Sequence, residues 1–97
     1  MKPSPYRPRV HLLVCANQRS GDDPLGAGCG ARGERVFALL KTGTRARTGE
    51  VWVTKTHCLG LCPKRGCTVA VAPAMQYLVE VEEADVDPLI AALSAGR

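Results

Sequence analysis

The sequence predicts a single α/β domain in which a β-α-β unit is followed by a β-hairpin and a C-terminal helix. Three observations predict this class. With 97 residues, the chain is long enough to fill one core but not two. Short β-rich runs flank a helical pattern in the first sixty residues, and two further runs follow before a last helical pattern. The apolar fraction of 45% is ordinary for a globular protein and argues against disorder.

The two strands of the β-α-β unit are predicted from different patterns. The run VHLLVC at Val10–Cys15 is apolar and β-rich, which is typical of a buried strand. Residues 50–55 alternate Val51 and Val53 with polar neighbours, so both valines are expected to face the core. A long polar loop, residues 16–30, follows the first strand, and a loop of this length usually has a function.

A helix is predicted over residues 31–42, with Gly43 placed to end it. Its apolar face is expected to contain Val36, Phe37 and Leu40. A strand, a helix and a second strand join parallel neighbours through a right-handed crossover. Both strands then end at the same edge of the sheet, which would bring Cys15 near Cys58.

The remaining third of the chain predicts a hairpin and a helix. Residues 68–72 and Gln76–Val81 are expected to pair as antiparallel strands across a short turn. Asp87 is expected to cap the last helix, with Pro88 at its first position. Leu89, Ile90 and Leu93 would form its apolar face, and Glu82, Glu83 and Asp85 would lie near its positive end.

The amino terminus and the cysteine content indicate a cytoplasmic protein. Pro3, Pro5 and Pro8 interrupt the start of the chain where a signal peptide needs an apolar stretch, and no later run approaches the length of a membrane span. We therefore expect residues 1–9 to be an N-terminal extension and residues 10–97 to be the domain. Five cysteines, an odd number, are better explained in a reducing compartment as metal ligands or redox groups than as disulfides.

Charge is unevenly distributed along the chain. Residues 1–65 contain twelve Lys/Arg and four Asp/Glu, a balance of +8, whereas residues 66–97 contain one Arg and five acids, a balance of −4. A basic region can indicate nucleic-acid binding. However, no nucleic-acid-binding motif is present and only four residues are aromatic, so nucleic acid is not expected as a partner. Thiolates on a metal would offset the positive charge.

The spacing of the cysteines points to a metal centre. The motif CLGLCP contains the close pair Cys58 and Cys62, which are separated by three residues, and soft thiolates suit iron-sulfur clusters and zinc. Zinc remains open as the metal, because four cysteines from two loops can also form a tetrahedral site. A thioredoxin-type dithiol is excluded, since no C-x-x-C occurs, and a Rieske centre would need two nearby histidines where only His57 is present.

Three stretches of the chain resemble the thioredoxin-like [2Fe-2S] ferredoxins: VHLLVCANQR, GCGARG and THCLGLCPKR. The resemblance covers nearly the whole chain, and CLGLCP also resembles the small cluster-binding subunit of NADH dehydrogenases. It implies a thioredoxin-like fold, a [2Fe-2S] cluster, one-electron transfer without catalytic turnover, and commonly a homodimer. The family's ligand pattern falls on Cys15, Cys29, Cys58 and Cys62. Two features depart from it: the first loop is slightly longer, and Cys67 is an extra cysteine.

Several other residues have competing interpretations. Cys67 is expected to be a half-buried structural residue, with a substitute ligand or redox-labile thiol as the alternative. His57 is expected at the surface, although it could donate a hydrogen bond to cluster sulfur, and His11 is expected to be structural. Four cations near the cysteine loops are either a solvated rim or charges that favour a reduced cluster and attract an acidic partner: Arg19, Lys55, Lys64 and Arg65. Asp22 and Asp23 are given no chemical role.

The leading hypothesis is therefore an electron carrier that exchanges electrons with redox partner proteins. The alternative is a binding or regulatory module, in which the same thiolates hold zinc or a cluster that senses redox state or is passed on. An enzyme is not expected, because no catalytic triad, carboxylate pair, phosphate loop or dinucleotide motif is present.

Overall fold

The computed structural model describes residues 1–19, 22–24, 26, 28–47, 49–61 and 63–95, and its centre is a four-stranded sheet. The strands are β1 (Val10–Cys15), β2 (Val51–Thr56), β3 (Cys67–Ala72) and β4 (Gln76–Val81), and the helices are α1 (Gly30–Gly43) and α2 (Val86–Ala95). Short 3-10 turns at Arg45–Arg47 and Glu83–Asp85 precede β2 and α2. This order confirms the predicted β-α-β unit, hairpin and C-terminal helix.

The sheet has the strand order β2-β1-β3-β4. Strands β1 and β2 are parallel, whereas β3 pairs antiparallel with both β1 and β4. Strands β1 and β4 have the predicted bounds. Strand β2 covers residues 51–56 in place of the predicted 50–55, and β3 begins one residue earlier than predicted, at Cys67.

One face of the sheet and the apolar sides of both helices form the core. Alternate residues of β1 and β2 are buried, and Val51 and Val53 face inward as predicted, with 2% and 5% of their surface exposed. The predicted face of α1 is also confirmed, because Val36 and Leu40 are buried and Phe37 packs against them. Each fully buried aliphatic side chain contributes roughly 1.5–3 kcal/mol, so this layer is the main source of stability.

Both predicted helix caps are wrong in detail. Gly43 is the last residue of α1, and the buried Thr44 ends the helix by donating its N–H and its hydroxyl to the carbonyl of Leu40, at 3.0 and 2.7 Å. Helix α2 begins before Asp87, at Val86, which is 4% exposed. The capping interaction lies further back, where the Asp85 carboxylate accepts the N–H of Glu82 at 2.9 Å.

The amino-terminal residues reach the domain through Arg9. Its main-chain N–H donates to the carbonyl of Glu50, and its guanidinium bonds the Glu50 carboxylate at 2.8 Å and the Leu93 carbonyl at 3.2 Å. The division into residues 1–9 and 10–97 stays a prediction. Among the described residues, no helix is long and apolar enough to cross a membrane.

Candidate metal centre

The first part of the candidate site is the edge of the sheet where β1 and β2 both end. Cys15 is the last residue of β1 and lies opposite Thr56 of β2, and the Ala16 N–H donates to the Thr56 carbonyl at 3.0 Å. Cys58 follows Thr56 by two residues. The parallel register therefore brings Cys15 and Cys58 to one edge, as the predicted topology requires.

Cys29 joins this edge from the start of α1. It is the residue before the first turn of the helix and accepts the N–H groups of Arg32 and Gly33 on its carbonyl, at 3.0 and 3.1 Å. Its thiol is hydrogen-bonded with the thiol of Cys15, and the two residues are 1% and 0% exposed. Two cysteines separated by thirteen residues are thus in direct contact.

Glycine at position 33 makes this contact possible. A Cβ on Gly33 would lie 1.9 Å from the carbonyl oxygen of Cys15, so any larger residue would push α1 away from the end of β1. A glycine inside a helical pattern is a signal of close packing that could have been recognised from the sequence. The Cys29 and Cys15 thiols meet because the helix backbone lies directly on the strand backbone.

The environment of Cys29 combines burial with groups that favour its thiolate. Its pKa is raised to about 11, chiefly by burial and also by the neighbouring Cys15 thiol, while the N–H of Thr68 and the charge of Arg32 act in the opposite direction. Without a metal this thiol is protonated at neutral pH. A metal would take the place of the proton, since a coordinating thiol is deprotonated.

Cys58 lies in a different environment, at the surface. Its sulfur accepts the N–H of Gly60 at 3.2 Å, in a turn that needs glycine because Gly60 has φ +93°. Main-chain N–H groups directed at sulfur stabilise its negative charge. Cys62, the other cysteine of the close pair, lies outside the described residues.

Thr68 is a site residue that the sequence reasoning missed. It is fully buried in β3. Its N–H faces the Cys29 thiol, and its hydroxyl donates to the carbonyl of Leu61 at 3.0 Å. Leu61 immediately precedes Cys62 in the chain. One residue of β3 therefore connects the Cys29 arm with the segment that contains the close pair.

Cys67 is more buried than the predicted half-buried residue, with no exposed surface. Its pKa is raised to about 12, chiefly by burial and also by the proximity of Cys29 and Cys15, with a small opposing effect of Arg32. Within the part of the chain that the structure describes, no three His, Cys, Asp or Glu side chains are grouped to hold a metal ion. Cys67 thus lies beside the Cys15 and Cys29 pair as a buried thiol without forming a three-sulfur site with it.

The two histidines occupy different surfaces. His57 is exposed beside Cys58, as predicted. His11 lies on the sheet, where its Nε2 is 2.7 Å from the hydroxyl of Thr54 and its ring packs edge-on against Trp52 at 5.7 Å. These contacts agree with a structural role for His11.

Lys55 and Arg65, which are among the predicted cations, form ion pairs. Lys55 lies 2.8 Å from a carboxylate oxygen of Glu34, and Arg65 lies 2.9 Å from one of Glu80, and all four side chains are substantially exposed. Exposed pairs of this kind contribute little to stability but reduce the net charge around the site. Lys64 is exposed in the segment that follows the close pair.

The donor atoms fit a sulfur-ligated metal centre. The cysteines at this edge supply thiols only, and soft thiolates suit iron-sulfur clusters and zinc. The N–H groups of Gly60 and Thr68 point at two of the sulfurs, an arrangement that suits cluster ligands.

No family model matches the sequence, and no curated protein matches it either. Solved structures do match. A Cys-to-Ser variant of the thioredoxin-like [2Fe-2S] ferredoxin from Aquifex aeolicus has a TM-score of 0.79 and 25% identity, covering 91% of this chain and 90% of that chain. A second structure of a ferredoxin of that description from the same organism has a TM-score of 0.79 and 25% identity, covering 94% of this chain and 86% of that chain. The wild-type protein of that description has a TM-score of 0.75 and 25% identity, covering 88% of this chain and 84% of that chain. The predicted fold and the predicted resemblance are both confirmed.

Proposed function

We propose that this chain, which shares its fold with the thioredoxin-like [2Fe-2S] ferredoxins, is a small electron-transfer protein with one [2Fe-2S] cluster. The observation that carries this proposal is the contact between the buried Cys15 and Cys29 thiols, at the edge of the sheet from which Cys58 also follows. This arrangement places several sulfur donors at one edge of the sheet, as a cluster requires.

In this proposal the cluster would be held by Cys15, Cys29, Cys58 and Cys62. When bound, such a cluster accepts and returns one electron. The chain excludes water from the side formed by Cys15 and Cys29, which are buried, and leaves the Cys58 side at the surface. A redox partner protein would approach the exposed side, and the protein would pass electrons on without catalytic turnover of its own.

The setting of the protein is part of the same proposal. We place it in the cytoplasm, in support of which the described cysteines are all free thiols. We also propose a homodimer and no association with nucleic acid or membrane. The dimer is supported by large side chains left exposed on β2 and β4, namely Trp52, Tyr77 and Val79.

The test is the spectroscopy and composition of protein purified without oxygen. Visible absorption, an EPR signal that appears on one-electron reduction, and two irons and two sulfides per chain are the expected results. A colourless protein with one zinc per chain would contradict the proposal and support the structural zinc site instead.

Replacing each of the five cysteines by alanine in turn tests the ligand set, because alanine, unlike serine, offers no atom that could hold iron. Cluster content should fall in the variants of Cys15, Cys29, Cys58 and Cys62 and stay near that of the wild type in Cys67→Ala. Loss of the cluster in Cys67→Ala, measured as iron per correctly folded chain, would place Cys67 among the ligands and overturn this assignment.

A further inference from the structure

One arginine side chain connects the two segments that contain the cysteines of the candidate site. Arg32 lies in the first turn of α1, and its guanidinium donates to three main-chain carbonyls. It bonds the carbonyl of Gly28 at 2.8 Å, that of Lys64, and that of Pro63 at 3.4 Å. A planar guanidinium can serve several acceptors at once, which the point charge of a lysine cannot do in the same way.

The three carbonyls belong to the two segments that contain cysteines of the candidate site. Gly28 immediately precedes Cys29, whereas Pro63 and Lys64 immediately follow the motif CLGLC. Gly28 and Pro63 are 35 positions apart in the chain, and through Arg32 the two segments become parts of one hydrogen-bonded unit. Removal of the guanidinium would therefore leave the second segment less firmly held against the first.

The charge of Arg32 is directed into the site. Among the described residues no carboxylate forms a salt bridge with it, in contrast to Arg35 on the same helix, which pairs with Glu83 at 3.1 Å. Its field also reaches the buried sulfurs, since it is one of the causes that lower the pKa of Cys29 and Cys67. Arg32 is half-buried, so this charge is less screened than that of an exposed lysine.

We infer that Arg32 is a positioning residue that fastens the segment after CLGLC to the Cys29 arm, and that its charge favours the reduced form of the cluster. This inference rests on the proposed function. Reduction adds one electron, supplied by a redox partner protein or by dithionite in the laboratory, and a nearby positive charge stabilises the added negative charge.

Two variants separate the fastening from the charge. Arg32→Lys keeps the positive charge but loses the multiple carbonyl contacts, whereas Arg32→Gln loses both. Arg35→Gln is the matched control, because it removes one positive charge from the same helix, three residues further along. The two measurements are the half-time of cluster loss in the presence of an iron chelator and the reduction potential.

The expected results differ for each variant. Arg32→Lys should lose its cluster several-fold faster than the wild type with little change in potential. Arg32→Gln should lose it at least as fast and have a more negative potential, while Arg35→Gln should match the wild type in both. Unchanged retention in Arg32→Lys and Arg32→Gln would overturn the fastening role. A potential shift of equal size in Arg35→Gln and Arg32→Gln would overturn the specific charge effect.

Failure of the proposed function would be recognised separately. Wild-type protein that contains no iron-sulfur cluster would contradict the proposed function, not the contacts of Arg32. Those contacts are tested without reference to the cluster by amide hydrogen exchange in the protein as purified. Exchange in residues 58–65 should be several-fold faster in Arg32→Lys than in the wild type, and equal rates would refute the fastening.

Discussion

At the scale of single residues, the candidate site depends on hydrogen bonds to sulfur and to main-chain carbonyls. The sulfurs of Cys29 and Cys58 each accept a main-chain N–H, from Thr68 and Gly60. Such N–H groups belong to the backbone and persist when side chains change. The side-chain hydroxyl of Thr68, which holds the Leu61 carbonyl, can be removed by substitution, as can the guanidinium of Arg32.

Thr68→Val should loosen the segment before Cys62 while preserving the shape of the core. Valine has nearly the same volume as threonine but removes the hydrogen bond to the Leu61 carbonyl, and a hydrogen bond of this kind contributes about 0.5–1.5 kcal/mol. We expect the free energy of unfolding in urea to fall by that amount and the cluster to be lost faster to a chelator.

Thr68→Ser is the matched control for this prediction. Serine keeps the hydroxyl and loses one methyl group, worth about 0.8 kcal/mol, so it should be slightly less stable but retain the cluster as well as the wild type. Equal rates of cluster loss in Thr68→Val and Thr68→Ser would contradict a role for the hydroxyl.

At the scale of secondary structure, the site is formed by the close packing of α1 on the end of β1. The helix places Cys29 at its start and Arg32 in its first turn, and Gly33 allows its backbone to reach the carbonyl of Cys15. Two positions in the same helix allow this packing to be tested, because Gly33 meets rigid backbone while Gly43 meets only the end of a flexible side chain.

Gly33→Ala should destabilise the protein and reduce cluster binding, whereas Gly43→Ala should be nearly neutral. The new Cβ at position 33 would meet the Cys15 carbonyl, and overpacking of this kind costs typically about 1–3 kcal/mol. At position 43 the Cβ would meet the Cδ1 of Ile90, which can rotate away, and alanine favours a helix over glycine by about 1 kcal/mol. The free energy of unfolding in urea and the iron content are measured for both variants. Equal stabilities of Gly33→Ala and Gly43→Ala would contradict the predicted clash with the Cys15 carbonyl.

The sequence predicts elements well where local pattern decides and less well where distant contacts do. Strand β1 was predicted with its observed bounds, because an apolar run beside polar segments is a local signal. The start of α2 was not, since its position depends on burial of Val86 and on a bond between Asp85 and Glu82. The periodicity of apolar residues in the sequence does not predict helix caps that depend on tertiary packing.

The sequence likewise predicts some residues of the candidate site and not others. The meeting of Cys15 and Cys58 at one edge followed from the parallel order of the strands, while Cys29 was assigned from a resemblance in sequence alone. Thr68 and Arg32 were missed because their bonds go to carbonyls of distant segments, and every residue type has a carbonyl. No pattern of residue types in the sequence therefore marks those partners.

A further irregularity near the site was also not predictable from alternation. The pairing of β3 with β4 shifts register between Cys67 and Val69, and Glu80 on the facing strand has φ +55°. A bulge of this kind bends a strand and redirects its side chains, and bulges are common beside functional sites. Here it lies opposite Thr68, the residue that connects the two cysteine segments.

At the scale of the whole molecule, the two sides of the sheet differ. The helices cover one side, while the other exposes Trp52 from β2 and Tyr77 and Val79 from β4. The registers place Trp52 beside His11 and Tyr77 beside Ala70, all on the side away from the helices. These exposed apolar side chains lie on the two outer strands of the open face, and exposed apolar surface can mark a site that binds another protein.

The proposed homodimer predicts that a charge on this open face will separate the subunits. Tyr77→Glu places a carboxylate on this face, and its burial in an interface would be costly, so sedimentation should change from that of a dimer to that of a monomer. Tyr6→Glu introduces the same change at an exposed tyrosine outside the sheet, and it should leave the dimer intact. Because the candidate metal centre lies at an edge of the sheet and not on its open face, cluster content should be equal in both variants. A monomeric wild type, or a dimer that survives Tyr77→Glu, would show that this face does not join two copies of the chain.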